Sequence, residues 1–200
     1  VQGRRADGED FLVTIPVDLW STCRLVCEDT DGPSRVDAPL FKSRRVAERM
    51  LERLGLGQGL RLRIELTRDM PVGKGLSSST ADMLAVLRAC QALFGVVVSD
   101  GCVSRWFAEI EPHDALHYPM SVIYNHRQGR LLHRLGHVPD FRIVGVDAGG
   151  AVCTEAYNRR LQFSPGLRAD YQRLYERVVD AFAARDDNAI AHCAMRATEL

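Results

Sequence analysis

The sequence predicts a chain of mixed strands and helices arranged around one strand–loop–helix unit, and three observations carry that expectation. Arg61 to Thr67 alternates polar and apolar residues, with Leu62, Ile64 and Leu66 on one side, the period of a half-buried strand. Met83, Leu84, Leu87, Cys90, Gln91 and Phe94 recur at helical spacing, and Gly95 follows as a stop. Between them, Asp69 to Asp82 is dense in glycine and hydroxyl side chains. Gly73 and Gly75 let backbone amides approach an anion closely. Ser77, Ser78, Ser79 and Thr80 bring hydroxyls to a helix start, where unpaired N–H groups and the helix dipole favour phosphate. The spacing differs from the Walker pattern G-x-x-x-x-G-K-S/T. Plain N-capping is the alternative reading of such a loop.

The remaining elements follow in order. Gly3 to Asp10 is polar and turn-like, and Phe11 to Pro16 and Leu19 to Glu28 read as two strands joined near Pro16, Val17 and Asp18. Asp29 to Pro39 reads as a loop rich in Asp, Gly and Pro. Leu40 to Leu54 is an amphipathic helix, with Phe41, Ala47, Met50, Leu51 and Leu54 inward and Arg44, Arg45, Glu48, Glu52 and Arg53 outward. Val103 to Ile110 is a short helix, and Pro112 and Pro119 keep the next segment out of helix. Ser121 to His126 and Leu131 to Leu135 form a hairpin. Phe141 to Asp147 is expected as a strand paired with Val152 to Tyr157, and Leu167 to Phe182 and Asp187 to Glu199 as helices.

Composition narrows the class. The chain has 200 residues, 46% of them hydrophobic, and Lys+Arg 26 balances Asp+Glu 26. A neutral chain without a charged tail argues against a nucleic-acid partner, and its longest apolar runs are too short to span a bilayer. Cys23, Cys27, Cys90, Cys102, Cys153 and Cys193 are spread out, in the pattern of neither a disulfide scaffold nor a zinc site. Reduced thiols in a cytoplasmic protein are the simplest reading.

Pro71, Gly75, Leu76, Ser78, Ser79 and Ala81 stand at the spacing of the phosphate-binding motif of the GHMP kinases, which this stretch resembles. Met70 to Leu76 together with Ser79 to Asp82 resembles one branch, the L-threonine kinases of cobalamin synthesis. Val1-Gln2-Gly3, Glu111-Pro112-His113-Asp114, Asp147 to Gly150 and the pair Asn158-Arg159 extend the likeness to that branch. The resemblance implies an α+β GHMP kinase fold. Its N-terminal ATP-binding domain, with a left-handed βαβ crossover, would span residues 1–138, and residues 139–200 would begin a ferredoxin-like domain. The chain is accordingly expected to be a piece of a longer protein.

The resemblance also implies the site. Pro71, Val72, Gly73, Lys74, Gly75, Leu76, Ser77, Ser78, Ser79 and Thr80 would cradle the phosphates of ATP, and Ser79 would bind Mg2+. Glu111 is the candidate carboxylate partner, with Glu109 in reserve, because a hard cation takes oxygen ligands. Asp114 would orient or deprotonate the acceptor hydroxyl; a turn-forming aspartate is the alternative. His113 and Ala115 stand where the threonine kinase branch has Thr and Ser, beside the expected acceptor. Arg159 is a candidate for pairing an acceptor carboxylate, whereas Asp82 reads as structural, at a helix start. His113 with His117 and His133 with His137 have the spacing of metal ligands, but neither pair sits on a predicted helix, which disfavours zinc. The implied reaction transfers the γ-phosphoryl of ATP to a small-molecule hydroxyl, L-threonine in the narrow version. A different small alcohol or amino acid, or a nucleotide-binding module without catalysis, are the alternatives. The oligomeric state is not legible in these patterns.

Overall fold

Val1–Val17 folds with Asp114–Leu200 as one compact unit, and Asp18–His113 forms a second. The structure, a computed structural model, describes residues 1–147, 149–150 and 163–200. In chain order the described elements are strands β1 (Gln2–Arg4), β2 (Asp10–Thr14), β3 (Ser21–Pro33) and β4 (Arg35–Asp37), helix α1 (Phe41–Leu54), strand β5 (Gln58–Arg68), helices α2 (Ser78–Phe94) and α3 (Asp100–Ile110), strands β6 (Val122–Asn125) and β7 (Arg130–Arg134), and helices α4 (Pro165–Ala183) and α5 (Asp187–Thr198). The mixed content agrees with the α+β expectation.

The Asp18–His113 unit is a three-stranded sheet, in the order β3-β5-β4, covered by helices. β3 and β5 pair antiparallel from Ser21↔Arg68 to Asp29↔Leu60, and β4 joins β5 in parallel through Val36↔Leu62. β4, α1 and β5 therefore form a βαβ unit with adjacent parallel strands. Leu62 and Ile64 of β5, Val46, Ala47, Met50 and Leu51 of α1, and Met83, Val86, Leu87 and Cys90 of α2 share one buried cluster. The periods of two and 3.6 that mark these elements in the sequence are the ones that bring their apolar residues to a single core. Gly55 ends α1 and Gly95 ends α2, both left-handed, with φ 68° and 63°.

Two expectations for this unit need correction. The supposed loop from Asp29 to Pro39 is largely strand: β3 continues to Pro33 across a register shift, and β4 follows almost at once. Gly32, at φ 101°, supplies the conformation that the irregularity needs, so turn-type residues here mark a bulge instead of a loop. Phe41 is 68% exposed, not inward. It stands nine positions before Met50, two and a half helical turns, and so lies on the opposite side of α1.

The other unit is a four-stranded antiparallel sheet in the order β1-β2-β6-β7. The two strands expected as neighbours in the first thirty residues thus belong to different sheets: β2 pairs with β1 and β6, and β3 with β5. Phe11 and Ile123 face a cluster with Tyr171, Leu174, Val178 and Phe182 of α4 and Ile190 and Cys193 of α5. Val122 and Tyr124 alternate with Ile123 and pack instead against Ala115 and Tyr118. Residues 141–147 form no strand, and Ile143, Val144 and Val146 are 67%, 84% and 91% exposed. The partner expected for this segment, residues 152–157, lies outside the described residues.

One glycine of this unit is set by close approach. A Cβ built on Gly3 would stand 2.3 Å from Cδ1 and 2.7 Å from Cε1 of the Tyr171 ring. The ring is buried beside Phe11 and Phe163, so it has little room to withdraw. Gly3→Ala is expected to destabilise the protein by about 1–3 kcal/mol, the usual cost of overpacking. Urea unfolding followed by far-ultraviolet circular dichroism measures it; an unchanged midpoint would show that β1 is not held against α4.

Candidate active site

The glycine–serine loop leaves the end of β5, rounds Gly73 and Gly75 and enters α2 at Ser78. Both glycines are left-handed, at φ 73° and 75°. A Cβ built on Gly75 would meet no atom within 4 Å, so the loop faces open space there. Val72 and Leu76 are exposed along it, Lys74 is half-buried and Thr80 is buried. Ser77 precedes the helix at φ 56°, ψ 27°, and its hydroxyl makes no capping hydrogen bond. An N-cap normally has extended backbone and a side-chain oxygen on the N2 or N3 amide. The N-capping reading of this loop therefore fails at the residue that would have to do it. The first turn of α2 keeps its outward N–H groups and the positive end of its dipole at the loop.

Asp82 holds that first turn in place. Its side chain is 4% exposed and accepts hydrogen bonds from Ser21 Oγ at 2.6 Å and from Arg68 Nε at 2.7 and 2.9 Å. Ser21 begins β3 and Arg68 ends β5, so one carboxylate ties the ends of two paired strands to the start of α2. The hydrogen bond to Asp82 raises the Arg68 pKa above its already high value. The sequence singles out Asp82 as structural but does not show these two partners.

Ser79, the second residue of α2, donates its hydroxyl to Glu111 Oε1. Lys42, on the first turn of α1, donates to Glu111 Oε2. The three side chains come from α1, α2 and the end of α3, all within the Asp18–His113 unit. Glu111 caps the C-terminus of α3, where the dipole disfavours a negative charge, and its side chain is 13% exposed. A carboxylate so placed depends on donors and cations around it. Glu109 points elsewhere: it is 57% exposed and pairs with Arg49 at 3.1 Å, on a cleft lined by Phe41, Arg45 and Trp106. Of the two acidic candidates, Glu111 is the one in contact with Ser79. Hydroxyl and carboxylate oxygens in contact suit a hard divalent cation that takes its remaining ligands from phosphate and water.

The residues after α3 divide between the two units. His113 is buried, with Nε2 3.1 Å from Ser104 O and its ring edge-on to Phe107. It anchors the chain to α3 as a buried histidine. Asp114 begins the segment that folds with β1 and β2, and is half-buried. Arg159 and Asn158 lie outside the described residues. Among the described residues no group of three or more His, Cys, Asp or Glu side chains is placed to hold a metal ion. Among the described residues Cys23, Cys27, Cys90, Cys102 and Cys193 are free thiols. Burial pushes Cys90 up to about 12 and Cys23 up to about 11, which leaves both protonated and unreactive near neutrality.

Comparison with known proteins points to one family. The family described as GHMP kinases N terminal domain matches residues 41–120, from α1 through the loop to the segment after α3. A 4-diphosphocytidyl-2-C-methyl-D-erythritol kinase of Parvibaculum lavamentivorans is 30% identical over 177 residues, covering 82% of this chain and 60% of the relative. An L-threonine kinase of Citrobacter freundii is 24% identical over 194 residues, covering 94% of this chain and 65% of the relative. The chain thus spans less than two thirds of the length of these curated relatives. Among solved structures, a homoserine kinase of Cytophaga hutchinsonii superposes with a TM-score of 0.60 at 20% identity, over 86% of this chain and 61% of that one. That likeness is one of fold.

Removing the Asp82 carboxylate tests what sets the loop. Asp82→Ala strands Arg68, and breaking a largely buried pair in this way is expected to cost about 3 kcal/mol. Hydrogen exchange should report faster opening at the start of α2 than at its end. Uniform exchange along α2 would mean that Asp82 does not fasten the loop.

Proposed function

The chain belongs to the GHMP kinase superfamily, and from that premise we propose that it is the ATP-binding part of a kinase that phosphorylates a small-molecule hydroxyl. The observation that carries the reading is the contact of Ser79 with Glu111 at the foot of an open glycine loop, where α2 begins. In this reading residues 71–80 hold the phosphates of ATP, with the amides of Gly73 to Ser79 donating and Lys74 adding a positive charge. Ser79 and Glu111 hold Mg2+, which when bound neutralises charge developing on the phosphoryl oxygens. Glu111 orients the Ser79 hydroxyl by accepting its hydrogen bond, which leaves a serine lone pair for the cation. Asp114 receives or orients the acceptor hydroxyl. In this reading residues 1–138 correspond to the N-terminal domain and 139–200 to the start of the C-terminal one, a division that cuts across the compact unit of Val1–Val17 and Asp114–Leu200. The protein acts in the cytoplasm on a dissolved substrate; among the described residues no helix is long and apolar enough to cross a membrane.

L-Threonine, giving O-phospho-L-threonine for cobalamin synthesis, is the acceptor we favour, on the segments Met70 to Asp82 and Glu111 to Asp114 and on the threonine kinase among the relatives. A second reading, a different small alcohol, draws on the 30% identity to a 4-diphosphocytidyl-2-C-methyl-D-erythritol kinase and on Ala115 where the threonine kinase branch has serine. Transfer of labelled γ-phosphate from ATP to L-threonine, homoserine or 4-diphosphocytidyl-2-C-methyl-D-erythritol separates the two. Mant-ATP binding with no transfer to any acceptor would instead make this a nucleotide-binding module.

Gly75→Val is expected to keep the fold and abolish mant-ATP binding, because its side chain would enter the open space over the loop and its backbone must hold φ 75°. Unchanged affinity in a folded variant sinks the cradle. Glu111→Gln is expected to raise the Mn2+ needed for half-saturation of the protein–ATP complex at least tenfold, with Glu109→Gln near wild type. The reverse ranking would move the metal to Glu109. Asp114→Asn should lower turnover by about 10²–10⁴, the range for general-base catalysis, with little change in ATP affinity. A loss of only a few fold would leave Asp114 as a turn residue and catalysis to positioning.

A further inference from the structure

Glu111 has two carboxylate oxygens and two partners from different helices. One oxygen accepts from Ser79 of α2 and the other from Lys42 of α1, 69 residues away in sequence. The Ser79 bond is compatible with a cation at the same place, since a serine hydroxyl donates its proton and ligates through a lone pair. The Lys42 bond is different. An ammonium has no lone pair to offer, and it places a full positive charge on the oxygen a divalent cation would use. Lys42 is 39% exposed and Glu111 13%, so the lysine can swing into solvent on its four-carbon stem while the glutamate stays where it is.

We propose that Lys42 is a positioning residue that occupies the metal carboxylate of the empty site and keeps bare divalent cations out, so that Mg2+ enters with the nucleotide. The inference rests on the reading of Ser79 and Glu111 as the metal ligands. Without nucleotide, the Lys42 ammonium neutralises Glu111, and a hydrated cation would have to displace it while bringing like charge alongside. With nucleotide, the phosphates over the α2 N-terminus give the ammonium another anion to pair with, and Glu111 is released to the metal. The lysine thus couples cation entry to phosphate binding. A lone carboxylate with one hydroxyl would hold such a cation weakly in any case, so Lys42 sharpens a preference that the ligand count already imposes.

The test is Mn2+ binding, followed by its electron paramagnetic resonance signal, with and without ATP, in wild type, Lys42→Met and Lys42→Arg. Met keeps the stem that covers the helix and removes the charge. Lys42→Met is expected to bind Mn2+ at least tenfold more tightly than wild type in the absence of ATP and to lose most of the gain that ATP brings. Lys42→Arg, which keeps the cation, should resemble wild type. Adding Glu111→Gln to Lys42→Met should abolish the gain. Equal nucleotide-free affinity in wild type and Lys42→Met, in proteins of equal thermal midpoint, overturns the proposal, and so does a gain that survives in the double variant. If Glu111→Gln leaves Mn2+ binding to the ATP complex unchanged, the metal reading itself fails; if that loss is seen but Lys42→Met matches wild type, only the role of Lys42 does.

Discussion

The arrangement of the Asp18–His113 unit depends on the carboxylate of Asp82. A glycine-rich loop between a strand and a helix has many conformations open to it, and each ordered residue costs about 1–2 kcal/mol of backbone entropy. What limits the choice is the position of its two ends. Arg68 is the last residue of β5, Asp82 lies early in α2, and the Arg68 Nε–H, shared between the two carboxylate oxygens at 2.7 and 2.9 Å, joins them, with Ser21 of β3 as a second donor. The separation of the loop ends is therefore set by a buried, charge-assisted contact, which is stronger and more directional than apolar packing. The hydrophobic core shared by β5, α1 and α2 fixes the helix axis, and Asp82 fixes where along that axis the loop arrives.

Fastened ends let the middle of the loop carry strain. Ser77 sits in the left-handed region, where a residue with a Cβ costs of order 1 kcal/mol, and its hydroxyl does not recover that cost by capping. The adjoining Gly73 and Gly75 reach the same region without penalty. Three left-handed residues within five positions turn the backbone so that its amides need not point back into the protein. That geometry is ill suited to building a hydrophobic core and well suited to an anion.

The sequence showed this unit unevenly, and the pattern has physical causes. β5, α1, α2 and α3 were readable because each buries one face against the same core, so its apolar residues keep the element's own period. The stretch from Asp29 to Pro39 was misread because residues suited to turns also make bulges and edge strands. Phe41 was misplaced because a helix start adds one apolar residue that the helical period does not support. Residues 141–147 are rich in β-prone residues, yet pairing depends on a neighbour that local pattern cannot supply. The loop stands out in the sequence through its glycines and hydroxyls, and Glu111 only through the resemblance to the GHMP kinases. Lys42, Arg68 and Ser21 do not stand out, since an isolated lysine, arginine or serine carries no periodicity, and only the fold brings them to Glu111 and Asp82.

Asp82 and Glu111 show how similar groups come to suit different roles. Both are mostly buried, and each accepts from a serine and a basic side chain. Asp82 lies near the positive end of a helix, and its cation is an arginine, always charged, whose Nε reaches both carboxylate oxygens from a strand end. Nothing there is easily exchanged, which is what a fastening needs. Glu111 lies at the negative end of a helix, against the dipole, and its cation is a lysine on a flexible, partly exposed stem. Of its two side-chain partners, the Lys42 ammonium can swing away while Ser79 stays on α2. A carboxylate that is unfavourably placed, nearly buried and lightly held gains most from a stronger cation. In the proposed reading, that stronger cation would be the divalent ion that arrives together with phosphate at the start of α2.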